Sequence, residues 1–148
     1  MKAFRDRRLD HAEFVYGFLD ATYIKDRVRG RVVSRAVVIA TGITMTGERE
    51  VLGTDVGDSE DGAFSTASRK GLRARGLSGV QLAISDHHLG LKPAIGAVFV
   101  GASWQRCRVH FMRNVLASVP KTPAEMVAAA IRTIFAQPDP AHVRALAR

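Results

Sequence analysis

The chain has 148 residues, of which 47% are hydrophobic and 24% charged, values of an ordinary globular domain that set aside wholesale disorder, collagen and low-complexity readings. Its longest apolar runs, Ala36 to Ala40 and Met126 to Ile131, fall far short of the roughly 20 residues that cross a bilayer, and a single cysteine, Cys107, excludes an intrachain disulfide. Twenty-two Lys and Arg against 14 Asp and Glu leave +8, which makes a polyanion a reasonable partner without identifying one.

The N-terminal stretch MKAFRDRRLDHAEF is charged where a signal peptide needs an apolar segment, so a cytoplasmic location with no membrane partner is the expectation. Twelve of the fourteen acids lie at or before Asp86, and only Glu125 and Asp139 follow. The C-terminal part is therefore strongly basic.

In chain order, Phe14 to Asp20 (FVYGFLD) is an apolar, aromatic-rich run that predicts a buried strand with Asp20 at its exit. After a polar turn around Lys25 to Gly30, the β-branched segment Val32 to Ile43 and, past Thr46-Gly47-Glu48, the segment Arg49 to Gly57 complete a three-stranded antiparallel meander. A helix is expected from Ser59, its N-cap, to Arg75, with Gly76 as its stop. Val80 to Asp86 (VQLAISD) is a second buried strand that ends in aspartate. Gly90 to Val100 follows a helical pattern with Pro93 in its first turn, and Ser103 to Phe111 reads as a short strand or a strand-to-helix transition. Met112 to Val119, Pro123 to Ala136 and Ala141 to Arg148 read as helices, punctuated by prolines 120, 123, 138 and 140. Because the helix between the third and fourth strands is a crossover, the expected fold is α/β: a mixed sheet with helices on its faces.

Two buried strands that each end in aspartate set Asp20 and Asp86 at a sheet edge, and they converge if the strands are neighbours. Paired carboxylates suit hard divalent cations, and two such ions roughly 3.5 to 4 Å apart serve phosphodiester chemistry. The alternative is that each aspartate caps the turn after its strand. Cys107 and His110 form a Cys-x-x-His pair, but a structural zinc needs four ligands and only His87 and His88 are near in sequence; a buried thiol and a hydrogen-bonded histidine explain the pair as well. Arg106, Arg108, Arg113 and Lys121, with Trp104 in front, make a basic stripe beside an aromatic ring. It is read either as a DNA contact or as a solvated face with the indole in the core.

The stretches LDATYIK (Leu19 to Lys25), RVVSRAVVIATGI (Arg31 to Ile43), REVLGTDVGDSEDGAF (Arg49 to Phe64), ISDHHLGLK (Ile84 to Lys92) and WQRCRVHFMRNVLA (Trp104 to Ala117) closely resemble the mutator-type transposases of bacterial insertion sequences. The resemblance implies a ribonuclease-H-like catalytic domain of the DDE class, in which three acidic residues bind two Mg²⁺ (or Mn²⁺) ions for DNA cleavage and strand transfer. Asp20 matches the first acidic place and Asp86 the second, with His88, Cys107 and His110 as signature positions. The family's third acid, a glutamate, lies downstream of the Cys-x-x-His segment beyond a helical insertion, and neither Glu125 nor Asp139 stands in its motif. Where the family usually has Ala-His-Glu-Gly-Leu, this chain reads His87-His88-Leu89-Gly90-Leu91, and Ser65 and Ser68 stand at usually large apolar positions.

The expected organisation is thus a partial ribonuclease-H-like core over residues 1–119, with residues 120–148 beginning the helical insertion region. The chain is expected to be an internal catalytic-domain fragment, incompetent alone. Its implied partners are double-stranded DNA, as transposon ends and target, and further copies of the intact transposase. A non-catalytic DNA-binding remnant and a self-contained ribonuclease-H-like nuclease are the other readings.

Overall fold

The computed structural model describes residues 2–58, 66–87 and 91–146. The chain divides into two compact units, Met1–Cys107 and Arg108–Arg148.

The first unit contains α1 (Lys2–Asp6), β1 (Phe14–Val28), β2 (Arg31–Thr44), β3 (Arg49–Asp58), α2 (Thr66–Ala74), β4 (Leu82–Ser85), α3 (Leu91–Val98) and β5 (Ser103–Arg106). The five strands form one sheet in the order β3-β2-β1-β4-β5. β1, β2 and β3 pair antiparallel, whereas β4 joins β1, and β5 joins β4, in parallel. The expected α/β architecture with a mixed sheet is present.

β1 is twice the length expected. It continues through Tyr23, Ile24 and Val28 to a two-residue turn in which Arg29 and Gly30 both have positive φ, 49° and 79°, the conformation that lets a right-twisted hairpin reverse. Thr22, Tyr23 and Ile24 favour extended backbone and pair in register with Val37, Ala36 and Arg35. Asp20 therefore lies mid-strand, and the expectation of a strand exit there is corrected: alternating strand formers continue the ladder across the charges.

One sheet face is covered by α2 and α3. Leu19, Val38, Ala40, Leu52 and Ala83 from the strands meet Leu72, Ile95, Val98 and Phe99 from the helices and the turn after α3. Each large aliphatic or aromatic side chain buried there contributes about 1.5–3 kcal/mol. Gly17 lies under Phe99, where a Cβ would stand 2.6 Å from the ring. On the opposite face Tyr16, Ile39, Val51 and Val56 are exposed. α2 stops as expected at Gly76, whose φ of 97° ends the helix while its N–H donates to Arg73 O at 2.9 Å. The expected start of that helix, Ser59, lies outside the described residues, as do Gly90 and His88.

The second unit is helical: α4 (Arg108–Ala117), α5 (Lys121–Phe135) and α6 (Pro140–Leu146). The segment from Ser103 to Phe111 is a strand-to-helix transition, with β5 ending at Arg106 and α4 beginning at Arg108. Among the described residues no helix is long and apolar enough to cross a membrane.

Candidate functional site

The parallel pairing of β1 with β4 runs from Tyr16↔Leu82 to Leu19↔Ser85. The ladder ends one residue before Asp20, which stays within β1, and one residue before Asp86, which directly follows β4. The shortness of β4 thus defines the place. Its last residue, Ser85, is buried, while Asp20 is exposed and Asp86 half-buried.

The backbone around Asp86 is fixed by hydrogen bonds that converge on Ser85. Its hydroxyl donates to the Asp86 carbonyl at 2.8 Å and accepts the Trp104 indole N–H at 3.0 Å. Its carbonyl accepts the Cys107 N–H at 2.6 Å. The Asp86 carboxylate accepts the His87 N–H at 2.7 Å, and Arg106 Nε stands 3.8 Å from the same oxygen. Asp86 thus does cap its own turn. A carboxylate has capacity beyond one amide, so this capping leaves oxygen lone pairs for a further partner.

Trp104 leans on the core cluster and commits its only donor to Ser85, with the His87 ring 6.0 Å away. Arg106 shares β5 with it. Arg108 and Arg113 lie on α4 and Lys121 opens α5, in the second unit. Cys107 is a half-buried free thiol and His110 is half-buried in the first turn of α4. Among the described residues no group of three or more His, Cys, Asp or Glu is placed to hold a metal ion. Asp139 is engaged at the start of α6, accepting the N–H groups of Ala141 and His142 at 2.9 and 3.0 Å.

The whole span of this geometry matches one family description, "Transposase, Mutator family", over residues 1–147. The chain belongs to the Mutator family of transposases. It is 45% identical over 139 residues to the transposase for insertion sequence element IS1081 of Mycobacterium tuberculosis, covering 94% of this chain and 34% of that protein. With the transposase for IS256 in transposon Tn4001 of Staphylococcus aureus it shares 40% identity over 131 residues, 88% of this chain and 34% of the relative. The IS406 transposase of Burkholderia multivorans is 45% identical over 140 residues, 94% and 36% of the respective lengths. This Mutator-family chain spans about a third of the length of these curated relatives. A simian T-cell lymphotropic virus intasome structure overlaps with 12% identity and a TM-score of 0.31, covering 90% of this chain and 56% of that one, too low a score to bear on the fold.

Two residues absent from the sequence-derived site stand out in the second unit. Arg132 and Phe135 of α5 line a cleft with Arg108, Val109 and Met112 of α4, and with Ala136. The spacing of Arg132, Phe135 and Ala136 puts them on one helical face, the signal that was available for them.

Proposed function

We propose that this Mutator-family chain forms the core of a DDE-type transposase domain, ribonuclease-H-like in plan, that acts on DNA through Asp20 and Asp86. The observation that supports the reading is the parallel β1–β4 register, whose last pair, Leu19↔Ser85, immediately precedes both aspartates. Two carboxylates, one on β1 and one directly after the neighbouring β4, neither of them buried, fit a divalent ion of the Mg²⁺ or Mn²⁺ type, which takes few protein carboxylates and keeps several waters. Asp20 and Asp86 would hold it, and bound there it would polarise a phosphodiester oxygen and help activate the attacking hydroxyl.

The chain's own residues prepare the site. Trp104 and Ser85 fix the backbone of Asp86, and the guanidinium of Arg106 offsets the repulsion of two neighbouring carboxylates. A second reading, DNA binding without cleavage by this length of chain, is supported by the lack of a third metal-ligating side chain among the described residues.

The test is a set of thermal melts with and without Mn²⁺ on the wild-type chain, Asp20→Asn and Asp86→Asn. Mn²⁺ is expected to raise the melting temperature of the wild type and to lose that effect in both variants. An equal shift in all three proteins sinks the carboxylate site. Mg²⁺-dependent nicking of DNA by the purified chain, abolished by Asp86→Asn, would displace the non-cleaving reading in favour of a self-contained nuclease.

A further inference from the structure

The cleft between α4 and α5 has a volume of about 490 Å³ and is lined by Arg108, Val109, Met112, Arg132, Phe135 and Ala136. That size is within the ~300–1,000 Å³ of pockets that take small organic groups. Phe135 is 42% exposed, and the Arg108 guanidinium lies 5.4 Å from its ring centroid. The cleft therefore offers a planar group a phenyl ring and a guanidinium plane, with Val109 and Met112 as apolar walls. Among the described residues that line it there is no carboxylate, and the two arginines give it a positive lining. The surrounding segment reinforces this sign, with six Lys and Arg against two acids from Arg108 onward.

A flat apolar body that carries negative charge is the complement of such a cleft. We propose that it receives one unpaired nucleotide of bound DNA, the base against Phe135 and Met112 and the flanking phosphates facing Arg108 and Arg132. The inference rests on the DNA-handling reading above and adds a subsite to it. Fully paired duplex has no free base face to present, so the cleft discriminates distorted or unpaired DNA from regular duplex. An aliphatic side chain of a protein partner would use the apolar walls but leave both guanidiniums without a counter-charge, so DNA fits the lining better.

The experiment measures binding of the full chain to three labelled duplexes: one fully paired, one with a single extra 2-aminopurine, and one with an abasic residue at the same place. The base-bearing bulge is expected to bind roughly fivefold or more tightly than the abasic one, the lower end of what base–aromatic stacking contributes. Its fluorescence should be quenched on binding. Phe135→Ala should erase preference and quenching while binding to paired duplex survives, and Phe135→Tyr should keep both, which separates loss of stacking from loss of folding. Arg132→Gln should weaken all three duplexes and make the salt dependence shallower. Equal affinity of the wild type for the base-bearing and abasic bulges, with duplex binding intact, overturns the subsite alone. Absence of binding to any duplex overturns the DNA reading beneath it. A DNA-independent dimer that Phe135→Ala dissolves would assign the cleft to protein contact and overturn the proposal.

Discussion

The two units of this chain are built on opposite balances of core and surface. In Met1–Cys107 the sheet and its two helices enclose Leu9, Phe14, Leu19, Val38 and Leu52, each at most 1% exposed. In Arg108–Arg148, Ala128 is the sole buried residue among those described, while Val109, Met126, Phe135 and Leu146 stay 42–72% exposed. The lesson is a division of labour. A close-packed sheet holds its side chains in fixed register, whereas a thinly packed helical unit keeps apolar and cationic surface available for contact.

The comparison breaks most visibly at the cores. Leu19→Ala should cost about 2–5 kcal/mol in denaturant unfolding, because its side chain is 1% exposed. Met126→Ala, at 72% exposure, should stay within about 0.5 kcal/mol. Similar losses for the two would erase the contrast. Next in size, Gly17→Ala drives a methyl group into the buried Phe99 ring and should cost about 1–3 kcal/mol. A melting temperature equal to wild type would mean that Phe99 yields freely.

Smaller effects sharpen the picture. Trp104→Phe keeps an aromatic ring against the core but removes the N–H held by Ser85, a loss of about 0.5–1.5 kcal/mol for the hydrogen bond alone, while loosening Asp86. The check is faster hydrogen exchange at the Cys107 amide, which Ser85 also holds; unchanged exchange would detach Trp104 from the site. The smallest effect is at α6. The backbone N–H of His142, followed by its ring and then the Ala141 N–H, holds the Asp139 carboxyl below its usual range. A carboxyl lowered on folding stabilises the helix end above its ordinary pKa and loses that contribution as pH falls through the folded value. Fraying of α6 should therefore set in under acid, measured by the amide resonances of Ala141 and His142, and Asp139→Asn should remove this pH dependence. Fraying that follows the same pH course in Asp139→Asn would show that another group is responsible.

Much of the sheet was legible because its signals are local. The β-branched run Val32 to Ile43 is read from composition, Gly76 is read as a helix stop, and the segment from Ser103 to Phe111 declares a change of period. The N-terminal helix Lys2–Asp6 was not legible, since its five residues carry charges and too few apolar positions for a periodicity. The extent of β1 was missed for a related reason: Lys25, Asp26 and Arg27 look like turn residues until they are paired with Ser34, Val33 and Val32 across the hairpin.

By itself the sequence determined the order of strands and helices from Phe14 onward, the basic C-terminal part, the two aspartates and, through its motifs, the Mutator resemblance. Each of these is carried by residues close in the chain, where side-chain period, turn chemistry and charge act locally. Only the tertiary structure decided that Asp20 lies mid-strand in β1, that β4 pairs in parallel with that strand, that Trp104 serves Ser85, and that Arg132 and Phe135 join Arg108 around one cleft. Those outcomes depend on which strands pair in parallel and how two helices dock, and both are settled by burial of surfaces far apart in sequence.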